Sequence, residues 1–82
     1  MAKVFIGDAA KKDFKKIPRK DQLKIRQKVN ILEAHPFAGK KLSGELGGFF
    51  ALRIWPYRAL YLIKKNGEVW IIHVLHRQGA YK

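Results

Sequence analysis

The chain predicts an α+β domain: a short N-terminal strand, two helices, then an antiparallel β-meander, with the helices packed on one sheet face. Three observations predict it. Helical apolar spacing is confined to residues 8–34, strand alternation follows residue 48, and Asn66-Gly67 separates the last two apolar runs as a hairpin signal. No linker, repeat or low-complexity tract interrupts residues 1–82, so a single domain with one small core is expected.

"KVFI" alternates weakly and predicts a short strand ending at Gly7. Asp8 is the expected N-cap of "AAKKDFKKI", where Ala10, Phe14 and Ile17 fall at i, i+4 and i+7 on one helical face. Pro18 breaks that pattern and suits the first turn of the next helix, where its missing N–H is harmless. "RKDQLKIRQKVNILEA" then aligns Gln22, Ile25, Val29 and Leu32 in one stripe, flanked by Leu23 and Ile31, which predicts a helix to about Ala34. Pro36, Gly39, Gly44, Gly47 and Gly48 make "HPFAGKKLSGELGG" a loop of roughly a dozen residues, a length that in compact domains is often functional.

Three strands are predicted after the loop, at 49–54, 57–63 and 68–75. A two-residue turn at Asn66-Gly67 would oppose Ile63 to Trp70, Tyr61 to Ile72 and Ala59 to Val74. Tyr57, Ala59, Tyr61, Ile63, Trp70, Ile72 and Val74 would then face the core, and Arg58, Leu60, Leu62, Ile71, His73, Leu75 and Arg77 the other side. A turn at Trp55-Pro56 would pair Arg53 with Arg58 and add Phe50, Leu52 and Ile54 to the core. Arg53, Arg58, His73 and Arg77 would thus share the face away from the helices.

Directly opposed arginines repel, so they serve a sheet poorly unless an anion lies between them. Glu45 and Glu68 are the only carboxylates after residue 33. The cluster therefore reads as a phosphate site, because a guanidinium fork matches phosphate oxygens and stays charged at physiological pH. Eighteen Lys and Arg against six acids give a formal charge of +12, a field that draws a polyanion, with nucleic acid foremost.

Other classes are disfavoured. There are no cysteines, so disulfides and thiolate metal sites are excluded and a reducing, cytoplasmic setting fits. His35, His73 and His76 lack metal spacing, and the glycines near residue 44 lack the Lys-Ser/Thr of a P-loop, so neither metal nor cofactor is expected. No apolar run approaches the roughly 18 residues of a membrane span, and "MAKVFIGDAAKKD" has no signal-peptide core.

"KKDFKKIP", "KKLSG", "LRIWPYRALY" and "VLHRQGAYK" together resemble the RelE/ParE superfamily of toxins from type II toxin–antitoxin pairs, across nearly the whole chain. The RelE branch implies a metal-independent RNase that enters the ribosomal A site, where the ribose 2′-OH of mRNA attacks the adjacent phosphate to leave a cyclic phosphate. By position, Arg53, Arg58 and Arg77 would attend the phosphate, Tyr81 would stack on a base, and Lys40 and Lys41 would grip RNA backbone. His73 and His76 are the two candidates for a general base, His76 also being a candidate RNA contact. The resemblance further implies a cognate antitoxin, and ribosome attraction through helix lysines such as Lys11, Lys15 and Lys28. Two departures stand out: Ala51 aligns with a RelE lysine, and Trp55-Pro56 replaces a Gly-Asp-like turn. The alternative is a ParE-like DNA gyrase inhibitor or a member without catalysis; Arg58, Arg77 and Tyr81 favour the RNase.

Overall fold

The computed structural model describes residues 2–44 and 47–76, so the expectations placed on Glu45, Arg77 and Tyr81 lie outside the described residues. Along the chain run β1 (Val4–Ile6), α1 (Asp8–Lys15), α2 (Arg19–Val29) with a 3₁₀ turn over Asn30–Glu33, β2 (Lys40–Lys41), β3 (Phe49–Ile54), β4 (Tyr57–Ile63) and β5 (Val69–His76). The strands form one mixed sheet in the order β1-β5-β4-β3-β2, with β1 parallel to β5 and the other pairs antiparallel.

The helices cover one face. Ala10 and Phe14 of α1, Ile17, and Ile25, Val29 and Leu32 beyond it are buried against Phe50, Leu52, Ile54, Tyr57, Ala59, Tyr61, Val69, Ile71 and Val74. The predicted stripe is thus correct at its aliphatic positions, whereas Gln22 turns back to donate from Nε2 to the carbonyls of Phe14 and Ile17 at 2.7 and 2.8 Å. Those donations add to the closure of the end of α1, where Ile17 N–H also reaches Phe14 O at 3.0 Å. Leu23 and Ile31, expected beside the stripe, are exposed. Asp8 is the first helical residue and Gly7 the cap, while Pro18 caps α2 instead of opening its first turn.

Two further expectations fail for identifiable reasons. The "KK" of the expected loop is a strand, pairing Lys40 with Ala51 and Lys41 with Phe50, because long-range ladder bonds override a composition that reads as coil. The β4–β5 turn holds three residues: Lys64 N–H donates to Glu68 O and Gly67 N–H to Lys64 O, both at 2.8 Å, with Gly67 at φ +88°. Such a loop needs a left-handed third residue, which glycine adopts without strain.

The longer turn slips the pairing to Ile63–Val69, Leu62–Trp70 and Tyr61–Ile71, which sends Val69 and Ile71 into the core and Trp70 to the open face. A bulge between Leu60 and Tyr61 absorbs Ile72 and restores Leu60–His73 and Ala59–Val74. Trp70 stacks on Phe5 at 4.8 Å, Lys64 Nζ lies 4.3 Å over its ring, and its Nε1 donates to Glu68 at 3.1 Å.

Candidate functional site

The β3–β4 connection sets the centre of the site. Register pairs Arg53 directly with Arg58 across the Trp55-Pro56 turn, whose peptide bond is cis, while Leu52 and Ile54 anchor β3 from beneath. Side chains opposite one another in a sheet lie on the same face, so the two guanidinium stems rise together from the side away from the helices. Among the described residues no carboxylate pairs with Arg53.

The expected loop lysines join them. Ala38, Gly39, Lys40, Lys41, Leu42 and Ser43 line one wall of an open groove of about 720 Å³ whose other wall is Ala51, Leu52, Arg53 and Arg58. Among the described residues, four cationic side chains and no acid border this groove. Repulsion within such a set is relieved by an anion, and phosphate is the ligand that guanidinium and ammonium groups both bind.

Sequence reasoning did not find what holds the lysine wall in place. The Tyr61 ring is fully buried beneath it; its Oη donates to Pro36 O at 2.8 Å and accepts from Gly39 N–H at 2.9 Å. Burial pushes the Tyr61 phenol above its ordinary value of 10.0, the Gly39 hydrogen bond opposing. A Cβ at Gly39 would lie 2.7 Å from Tyr61 Oη and 2.9 Å from Ala51 O, so only glycine fits there. The turn into Lys40–Lys41 is thereby pinned to the middle of the sheet. A buried tyrosine next to a loop glycine carries no sequence signature of its own.

The histidines lie elsewhere on the sheet. Nδ1 of His73 is 3.2 Å from Asp13 Oδ2, and the same oxygen accepts the Val74 N–H at 2.9 Å, closing the edge of β5 beyond the end of β1. A carboxylate only accepts, so this contact puts the proton on Nδ1 and leaves Nε2 as the outward nitrogen. His73 is the direct partner of Leu60, two pairs along the ladder from the Arg58–Leu75 pair. His76 opposes Tyr57, its ring edge-on at 5.4 Å, and Tyr57 Oη donates to Asp21 at 2.9 Å. Burial first, then the Asp21 hydrogen bond and charge, raise the Tyr57 phenol above 10.0.

The apolar patch expected beside the arginines is Leu60, Leu62 and Leu75 with Ile72 in place of Ile71, all partly buried. Among the described residues no cluster of three potential metal ligands occurs, and no helix is long and apolar enough to cross a membrane.

A family model described as the ParE toxin of the type II toxin–antitoxin system matches residues 4–81. Among solved structures, the chain is similar to the RelBE2 toxin–antitoxin complex of Mycobacterium tuberculosis, at 32% identity over 93% of this chain and 98% of that one, with a TM-score of 0.86. The archaeal RelE–RelB complex of Pyrococcus horikoshii follows at 23% identity, 96% and 98% coverage and a TM-score of 0.78. The intact RelBE complex of Escherichia coli shares 14% identity over 93% and 96%, with a TM-score of 0.76. No curated protein matches the chain significantly.

Proposed function

The chain belongs to the RelE/ParE superfamily of toxins from type II toxin–antitoxin systems, and we propose that it is a metal-independent RNase that cuts mRNA in the ribosomal A site. The observation that carries the reading is the facing Arg53–Arg58 pair in a groove walled by Lys40 and Lys41. In the reaction, a ribose 2′-OH loses its proton and attacks the adjacent phosphorus. The 5′-oxygen of the next nucleotide leaves with a proton, and a 2′,3′-cyclic phosphate remains.

Negative charge builds on the nonbridging oxygens as phosphorus becomes five-coordinate, and Arg53 and Arg58 are placed to receive it, with Arg77 assigned alongside them by the resemblance. Lys40, the direct partner of Ala51, restores an ammonium beside the position where the resemblance expects a lysine. His73 takes the 2′-OH proton through Nε2 while Asp13 holds its Nδ1–H, and Tyr81 stacks on the base. His76 and Lys41 contact RNA backbone. The cognate antitoxin covers Leu60, Leu62, Ile72 and Leu75 and brings carboxylates to the arginines.

A second reading, inhibition of DNA gyrase, is favoured by the family model, which describes ParE toxins. One experiment separates the two: mRNA on programmed ribosomes is incubated with the purified protein or its Arg58→Ala variant, and 3′ ends are mapped, with gyrase supercoiling assayed in parallel. The RNase reading expects a cut in the A-site codon with a cyclic phosphate end, lost in Arg58→Ala. Intact mRNA with inhibited supercoiling would move the function to the gyrase branch.

A further inference from the structure

Arg53 borders two hollows. Besides the lysine groove, it lines a shelf of about 360 Å³ formed by Lys24, Gln27, Lys28 and Ile31 of α2 with Ile54 and Trp55 of the β3–β4 turn. Trp55 is 57% exposed there and Ile31 38%, while Lys24 Nζ donates to the Trp55 carbonyl at 2.7 Å and braces the turn against the helix. Among the described residues, three cations and no acid border the shelf.

We propose that this shelf is a base-binding subsite for single-stranded RNA, in which Trp55 stacks on an unpaired base while Lys28 and Arg53 hold the phosphates on either side of it. The inference rests on the RNA reading of the arginine groove and extends it, because Arg53 makes the two hollows one track along a single strand. Sequence-tolerant binding of single strands combines a cationic path with exposed aromatic faces, and the shelf supplies both within one helix and one turn. The size favours a nucleotide over a protein segment. A two-turn helix about 10 Å across fills roughly 850 Å³ and would lie largely outside. Trp55 stands where the resemblance expects a small turn residue, so the subsite is this chain's own addition.

The test uses the full chain and a 2′-O-methyl hexauridylate that cannot be cleaved, beside an abasic oligomer with the same phosphates. The chain has two tryptophans, so in a Trp70→Phe background Trp55 is the sole indole reporter. The expected result is quenching of Trp55 by hexauridylate and not by the abasic strand. In the natural background, Trp55→Ala is expected to weaken hexauridylate about tenfold, the abasic strand hardly at all, and Trp55→Phe to retain most binding. Melting curves of both variants report their folding.

If Trp55→Ala leaves both oligomers unchanged or weakens them equally while Arg58→Ala weakens both, the shelf is refuted and the phosphate groove stands. If neither oligomer binds the unaltered protein, the RNA reading falls and takes the shelf with it. Quenching by an acidic amphipathic peptide that hexauridylate cannot displace would assign the shelf to a protein partner and overturn the proposal.

Discussion

Replacing Tyr61 by Phe removes one oxygen from the middle of the molecule and strands two backbone groups. Pro36 O loses the donor at 2.8 Å and Gly39 N–H loses the acceptor at 2.9 Å. Leaving a buried polar group unpaired costs about 1–3 kcal/mol. Both groups sit in a part-buried loop where water can reach one side, so the low end of the range, about 1–1.5 kcal/mol, applies to each, and the sum is about 2–3 kcal/mol. For a domain this small that corresponds to a fall in Tm of roughly 10–20 °C. Gly39→Ala attacks the same joint from the other side, because its Cβ meets Tyr61 Oη at 2.7 Å, Cε1 at 2.8 Å and Ala51 O at 2.9 Å. Overpacking of this kind costs about 1–3 kcal/mol. The double variant is therefore expected to be less destabilised than the sum of the two, since Phe removes the closest of the three clashes. Urea unfolding of the four proteins measures the coupling. A Tyr61→Phe loss under about 0.5 kcal/mol, or strict additivity, would refute the pinning of the lysine wall by this hydroxyl.

Further predictions concern charge and protonation. Neutral Tyr57 is favoured by the fold, so its contribution is fully present below pH 10.0 and is lost as pH rises through the raised value; Tyr57→Phe should flatten part of the alkaline fall in stability, read by melting between pH 8 and 11. Glu68 behaves oppositely. Its carboxyl is held below its ordinary 4.5 by the Trp70 hydrogen bond, then by Asn66 and the charges of Lys64 and Lys3, so its contribution is present above 4.5 and lost as pH falls through the lowered value. Glu68→Gln should reduce the acid-side slope of stability, measured by urea unfolding between pH 3 and 6. Asp13→Ala should cost about 1–2 kcal/mol through the lost Val74 and His73 bonds, whereas neighbouring Lys16→Ala should stay within about 0.5 kcal/mol.

The parts of the fold legible in the sequence are those governed by local pattern. Apolar spacing located both helices, and the arginine spacing around Trp55-Pro56 gave the β3–β4 register correctly down to the Arg53–Arg58 pair. The β4–β5 register was misread because Asn66-Gly67 suits a two-residue turn, and "VWII" is apolar at every position, so alternation cannot say which residues face inward. β2 was missed because two lysines become a strand only through pairing with Phe50 and Ala51, beyond the loop. In the candidate site, charge pointed to Arg53, Arg58, Lys40 and Lys41, and the fold brings them to one groove. Asp13 was not linked to His73, sixty residues away, because such a contact exists only once α1 lies against β5.

The indole of Trp70 acquires a new meaning from the ambiguity of its own strand. The apolar pattern of β5 suits two alignments, each burying two apolar residues: Val69 and Ile71 in the one the fold adopts, Trp70 and Ile72 in the one a two-residue turn would give. Selection between them needs a residue that is welcome on one side only. Trp70 is that residue, since inward it would carry a ring too large for the place of a valine and an N–H severed from Glu68. Outward it keeps that bond, the Phe5 stack and the Lys64 cation. The largest side chain of the strand thus discriminates by being excluded from the interior, and the gap between the native state and the slipped alignment rests on the solvent side of the sheet.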